Sequence, residues 1–199
     1  MGGEVAGEIV ASNADGFAVG DFVAAHTGWQ THGVADARDI RKLNPAEAPI
    51  STSLGVLGMP GLTAYFGTLD VLTPKAGDTL LVNAASGAVG SVVGQIAKIG
   101  GCRVVGIVGS DEKCDFITGE LGFDAAINHR TTADMSSAMR ETCPDGIDIF
   151  FDNVGGEVLD AALARINFHA RVVICGAISQ YNNPEPVEGP SNYLSLLIR

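Results

Sequence analysis

Asp78–Gly101 reads DTLLVNAASGAVGSVVGQIAKIGG. Its opening run, Thr79–Asn83, is short, apolar and partly β-branched, which predicts a strand buried on both faces. The small-residue turn Ala84-Ala85-Ser86-Gly87-Ala88-Val89-Gly90 follows. Val92, Val93, Ile96, Ala97 and Ile99 are then spaced for a helix packed on a sheet. Strand, glycine turn and helix make up the context of a dinucleotide phosphate loop, although Ala85 replaces the first glycine, leaving A-x-G-x-x-G on Ala85, Gly87 and Gly90.

Downstream of this stretch the pattern is regular. Strands are predicted at Arg103–Val108, Ala125–Asn128, Ile147–Phe151 and Arg171–Cys175. Helices are predicted at Asp111–Leu121, with Ser110 as N-cap, at Thr132–Thr142, at Glu157–Ile166 and, in the tail, at Tyr193–Ile198. Alternating strands and helices imply a parallel sheet, and the chain is read as an α/β protein with a Rossmann-type doubly wound sheet lacking its sixth strand.

Upstream the texture changes to short strands and turns. Glu4–Val10, Val19–Val23 and Gly33–Asp36 are strand candidates, and Asn13–Gly16 reads as a turn. Ser51–Leu72 is expected to be helical in part, interrupted at Gly58-Met59-Pro60-Gly61, with a second helix over Leu62–Leu69. Residues 1–48 are thus read as part of a β domain and residues 49–199 as the dinucleotide-binding domain. The first strands of the β domain are expected to lie outside this sequence.

Composition narrows the function classes. With 12 basic and 23 acidic residues the formal net charge is −11, and there is no Lys/Arg-rich run. Such a surface repels nucleic-acid backbones. No apolar run is long enough to span a membrane, so a soluble, cytoplasmic protein is the expectation. Cys102, Cys114, Cys143 and Cys175 form no C-x-x-C pair, and no metal site is predicted.

Ligands of doubly wound folds bind outside the carboxyl ends of the strands. The Gly87, Ala88, Val89 and Gly90 amides, at a helix N-terminus, are placed for a pyrophosphate. An acidic residue ending the second strand would select NAD. Here Gly109 and Ser110 stand there with Lys113 behind them, which favours the 2′-phosphate of NADP(H). A solvated Lys113 and an Asp111 that reaches the ribose are the alternatives. His129 and Arg130 follow the third strand and could donate to the same phosphate, or simply face solvent. Asn153, after the fourth strand, is suited either to a cofactor contact or to an ordinary Asx turn. Cys175, Gly176, Ala177, Ile178, Ser179, Gln180 and Tyr181 follow the fifth strand at nicotinamide depth. No hydrolytic arrangement is present, since neither a G-x-S-x-G elbow nor a P-loop lysine occurs.

Residues 55–65, Ala84–Gly90, Gly109–Lys113, Asp152–Gly156 and Cys175–Asn182 together resemble the zinc-independent medium-chain dehydrogenase/reductases, in the prostaglandin reductase branch that includes bacterial curcumin reductases. The resemblance implies an NADPH-dependent reduction of the carbon–carbon double bond of α,β-unsaturated aldehydes and ketones. It places Gly87–Gly90 on the pyrophosphate, Lys113 on the 2′-phosphate, Asn153 on the cofactor and Cys175–Tyr181 beside the nicotinamide. Met59 and Thr63 fall in the stretch that approaches the nicotinamide. His129 stands where prostaglandin reductases carry tyrosine, and either side chain can hydrogen-bond a phosphate. No catalytic side chain is assigned. The resemblance also implies a small enone or enal substrate, a GroES-like first domain and a longer whole chain able to form a homodimer. A truncated, non-catalytic NADP(H)-binding module is the rival reading, and a zinc alcohol dehydrogenase a third.

Overall fold

Short apolar pairs separated by polar turns fill the first sixty residues, and the computed structural model folds them into a three-stranded antiparallel sheet. The structure describes residues 3–185 and 189–199. Strands β1 (Val5–Glu8), β2 (Phe22–Ala25) and β3 (Arg41–Leu43) lie in the order β1-β2-β3. Asp21 precedes β2 and fastens the sheet from its turn, its Oδ2 accepting from the Ala18 amide at 2.8 Å and pairing with Lys42 Nζ at 2.6 Å.

The third strand is not where the sequence suggested. Gly33–Asp36 joins no sheet, and Arg41–Leu43 pairs with β2 instead. Asp36 explains the shift, because its carboxylate caps the short turn Ala37–Asp39 by accepting from the Arg38 amide at 3.0 Å. That cap turns the chain out of extended pairing.

Helix α1 (Met59–Phe66) begins inside the expected interruption rather than after it. Pro60 occupies its first turn, where a missing N–H costs nothing. A π-helical turn, Gly67–Leu72, ends it. The chain divides into two compact units, Met1–Leu62 and Thr63–Arg199, within α1.

The second unit is built on β4 (Thr79–Asn83), buried at all five positions. Beside it run β5 (Arg103–Val108), β6 (Ala125–Asn128), β7 (Ile147–Asp152) and β8 (Ile166–Ile174). All pairs are parallel, in the order β6-β5-β4-β7-β8. Helices α2 (Gly90–Ile99) and α3 (Asp111–Gly119) send Val93, Ala97 and Ile117 against Leu80, Val82 and Val104 on one face. Helices α4 (Met135–Thr142) and α5 (Gly156–Leu163) send Met139 and Ala162 against Leu81, Val105 and Phe150 on the other. This is the doubly wound arrangement the sequence predicted. It changes direction between β4 and β7, where ligand crevices of this fold open.

β8 starts five residues before the predicted Arg171. Its register against β7 shifts between Ile147 and Ile149, and His169 takes a left-handed φ of 63°. The irregularity interrupts the period-two pattern from which a strand is read. A short helix, α6 (Ser195–Ile198), lies within the expected tail helix. Among the described residues no helix is long and apolar enough to cross a membrane.

Candidate cofactor site

The phosphate turn leaves β4 through Ala84, whose φ of 48° is left-handed. The Ala85 amide donates to the Ile107 carbonyl of β5 at 3.1 Å, and the Gly87 amide closes back on Ala84 at 2.9 Å. The amides of Ala88, Val89 and Gly90 donate to no backbone carbonyl among the described residues. They open α2, where such donors and the helix dipole favour an anion. Gly90 is obligatory in this packing: a Cβ there would sit 2.5 Å from the Ala84 oxygen and 2.9 Å from the Ala85 Cα.

The departure from the glycine fingerprint also has a structural cause. Ala85 is fully buried, and its methyl occupies space left by Gly106 on β5, whose Cβ would lie 2.8 Å from it. Ala85 therefore fills the core, and Gly106 provides the missing room.

At the end of β5, Ser110 caps α3, its hydroxyl accepting from the Lys113 amide at 3.3 Å. Gly109 lies under the next loop. A Cβ on it would be 3.2 Å from His129 Nε2 and 3.5 Å from Arg130 Nε. Both side chains are exposed, as is Lys113 one turn into α3. Asp111 is otherwise engaged, its Oδ1 accepting from Asn128 Nδ2 at 2.6 Å, while Asn128 Oδ1 accepts from the Arg130 amide at 3.1 Å. Asp111, an alternative ribose ligand in the sequence, instead braces the loop that carries His129 and Arg130.

Between β4 and β7 the backbone ladder stops at Val82 and Phe151, and side chains take over. Asn83 Nδ2 donates to Asp152 Oδ1 at 2.5 Å, and Asn83 Oδ1 accepts from the Asn153 amide at 2.6 Å. Asn153 Nδ2 returns to the Asn83 carbonyl at 3.0 Å. Asp152 Oδ1 also accepts from Val154 at 3.0 Å and Gly155 at 2.8 Å. Asn83 and Asp152 are 1% and 0% exposed, so these bonds are sheltered from water. Sequence reading assigned neither residue a role. The available signal was a polar residue at the carboxyl end of each apolar strand.

Cys175–Tyr181 is zipped to the loop after β7. The Cys175 and Gly176 amides donate to the Asp152 carbonyl at 2.8 and 3.1 Å, and the Ser179 amide and hydroxyl both reach the Val154 carbonyl. Ala177 donates to the Tyr181 hydroxyl at 3.1 Å, and Gln180 to the Ala177 carbonyl. The Cys175–Gln180 amides are thus committed within the protein, whereas the Cys175, Gly176 and Ile178 carbonyls accept no backbone bond among the described residues. Cys175 is exposed, and partial burial followed by the nearby Asp152 charge pushes its thiol pKa up. Among the described residues no group of three His, Cys, Asp or Glu side chains is placed to hold a metal ion.

Residues 88–194 match the family described as zinc-binding dehydrogenase, and residues 1–43 match an N-terminal domain of oxidoreductases. Prostaglandin reductase 1 of Rattus norvegicus is 50% identical over 195 residues, covering 96% of this chain and 59% of its own length. The NADPH-dependent curcumin reductase of Escherichia coli (strain K12) is 47% identical, covering 96% and 54%. The NADP(+)-dependent 2-alkenal reductase of Nicotiana tabacum is 44% identical, covering 96% and 56%. The crystal structure of CurA from Vibrio vulnificus in complex with NADPH superposes with a TM-score of 0.90 at 48% identity, covering 98% of this chain and 58% of that one. The chain thus spans between half and three-fifths of the length of these relatives. By the family match over more than half its residues, and by these relatives, the chain belongs to the zinc-binding dehydrogenase family, on its prostaglandin and curcumin reductase side.

Proposed function

We propose that this chain carries the NADP(H)-binding part of an oxidoreductase that reduces the carbon–carbon double bond of α,β-unsaturated aldehydes and ketones. The observation that carries the cofactor choice is the end of β5, where Gly109 lies beneath His129 and Arg130 while Asp111 is held by Asn128. A 2′-phosphate fits a site with the exposed Arg130 guanidinium, the His129 ring nitrogens and Lys113 close by, while Asp111, whose Oδ1 is taken by Asn128, has less to offer a bare ribose diol. The names of the relatives, with CurA bound to NADPH, support the same choice and suggest the substrate class.

In this reading the Gly87, Ala88, Val89 and Gly90 backbone holds the pyrophosphate, because the Ala88, Val89 and Gly90 amides donate to no backbone carbonyl among the described residues. Lys113, His129 and Arg130 hold the 2′-phosphate. Asn153 and the free carbonyls after β8, in the Cys175–Tyr181 stretch, line the nicotinamide side. Bound NADPH supplies the hydride that adds to the β-carbon of the unsaturated carbonyl. The chain's own work is to fix the position of that donor, so catalysis is mostly orientation.

The test is NADPH oxidation by this chain in the presence of a simple enone such as butenone. Turnover that depends on the enone supports the reductase. NADPH binding with no turnover would leave a nucleotide-binding module in its place.

A further inference from the structure

We propose that Asp152, acting with Asn83, is a positioning residue that sets the shape of the crevice for the cofactor; the inference rests on the NADP(H) reading above. Asn83 and Asp152 lie where the sheet reverses its winding. There the β4–β7 ladder ends at Val82 and Phe151, while β4 still pairs with β5 as far as Asn83 and Ile107, and β7 with β8 as far as Asp152 and Ile174. Only the gap between β4 and β7 is left to side chains.

Asp152 Oδ1 crosses that gap by accepting from Asn83 Nδ2, and it also accepts from the Val154 and Gly155 amides of its own loop. Through Asn83 it also fixes Asn153, whose own amide and side chain bond to Asn83. Through its backbone carbonyl Asp152 holds Cys175 and Gly176, so the loops after β4, β7 and β8 meet on this residue.

The second oxygen, Oδ2, is buried without a hydrogen-bond partner among the described residues. The hydrogen bonds of the Asp152 side chain therefore rest on Oδ1 alone. Its bonds all lie beyond the last backbone pair of β4 and β7, so removing them leaves the sheet ladder whole. What changes is where Asn153 and residues 175–179 stand relative to the phosphate turn.

The experiment compares the 199-residue chain with Asp152→Ala, Asp152→Asn and Asn83→Ala by NADPH titration and by alkylation of individual cysteines. Asparagine keeps an acceptor oxygen at the Oδ1 position, so Asp152→Asn is expected to bind NADPH within about threefold of the unmodified chain, whereas Asp152→Ala and Asn83→Ala lose about tenfold or more. Cys175 should be alkylated several-fold faster in both alanine variants, while buried Cys102 and Cys143 stay protected. Alanine variants that bind NADPH within twofold of the unmodified chain with Cys175 unchanged would overturn the proposal. So would an asparagine variant as weak as the alanine one; alkylation of Cys102 and Cys143 together with Cys175 marks general unfolding. If Asp152→Ala does not fold, Asn83→Ala decides by the same criteria. Failure of the unmodified chain to bind NADPH would instead refute the cofactor reading, with the cysteine pattern still testing the clamp.

Discussion

Ala84 has the least favourable backbone of the phosphate turn. It is exposed, so its methyl packs against little, yet its φ of 48° is one that L-residues avoid. Ala84→Gly should therefore stabilise the chain by roughly 0.5–1 kcal/mol, after allowance for the looser unfolded glycine. Thermal unfolding would read this as a rise of about 1–4 °C for a chain of this size. Gly90 is the opposite case. A methyl there would meet the Ala84 carbonyl, so Gly90→Ala should cost about 1–3 kcal/mol in stability. It should also weaken NADPH binding, since the clash with the Ala84 carbonyl would displace Gly90 and the neighbouring Ala88 and Val89 amides. A titration showing NADPH affinity unchanged would remove the turn from the site.

At the scale of elements, the Ala85–Gly106 exchange ties the phosphate turn to β5. Gly106→Ala would press on Ala85 and Phe123 at 2.8 and 2.9 Å, and on Ile117. Urea unfolding should record a loss of about 1–3 kcal/mol from this overpacking. The helix–strand corner beside it has its own electrostatic fastening: Lys98 of α2 pairs with Asp124 at 2.9 Å, and Asp124 also accepts from the Val104 amide at 2.7 Å. Burial alone would raise the Asp124 pKa, but Lys98 and Val104 outweigh it and hold the carboxyl below its usual value. A depressed folded-state pKa stabilises above the unfolded carboxylate range, near pH 4, and the contribution is lost as pH falls through the folded value. The stability difference between the unmodified chain and Lys98→Met should be present at about pH 6, at under ~1 kcal/mol for so exposed a pair, and should shrink toward pH 3. A difference independent of pH would contradict this. Most of these elements were legible in the sequence because β4, β5 and β6 are apolar runs bounded by small or polar residues. β3 was not, since two of its three residues are Arg41 and Lys42, which suit an edge strand but carry no apolar pattern. The early half of β8 was hidden by its register shift and by exposed Phe168 and His169.

Over the whole molecule, the candidate site is a set of loops from five strands, and its legibility follows from that. The phosphate turn and Lys113 could be read because each lies within one local motif. The Asn83–Asp152 bond could not, since it joins residues 69 positions apart whose partnership depends on sheet order. Nor could the close approach of His129 and Arg130 to Gly109, which follows from the pairing of β5 and β6 up to Val108 and Asn128. Recognition of the 2′-phosphate at this end of the sheet is decided by paired titrations of NADPH and NADH into the chain and its Lys113→Ala variant. NADPH should bind more tightly than NADH, and the substitution should cost roughly 1.5–3 kcal/mol for NADPH with little change for NADH. Equal or tighter binding of NADH by the unmodified chain, or an NADPH affinity indifferent to Lys113, would contradict it.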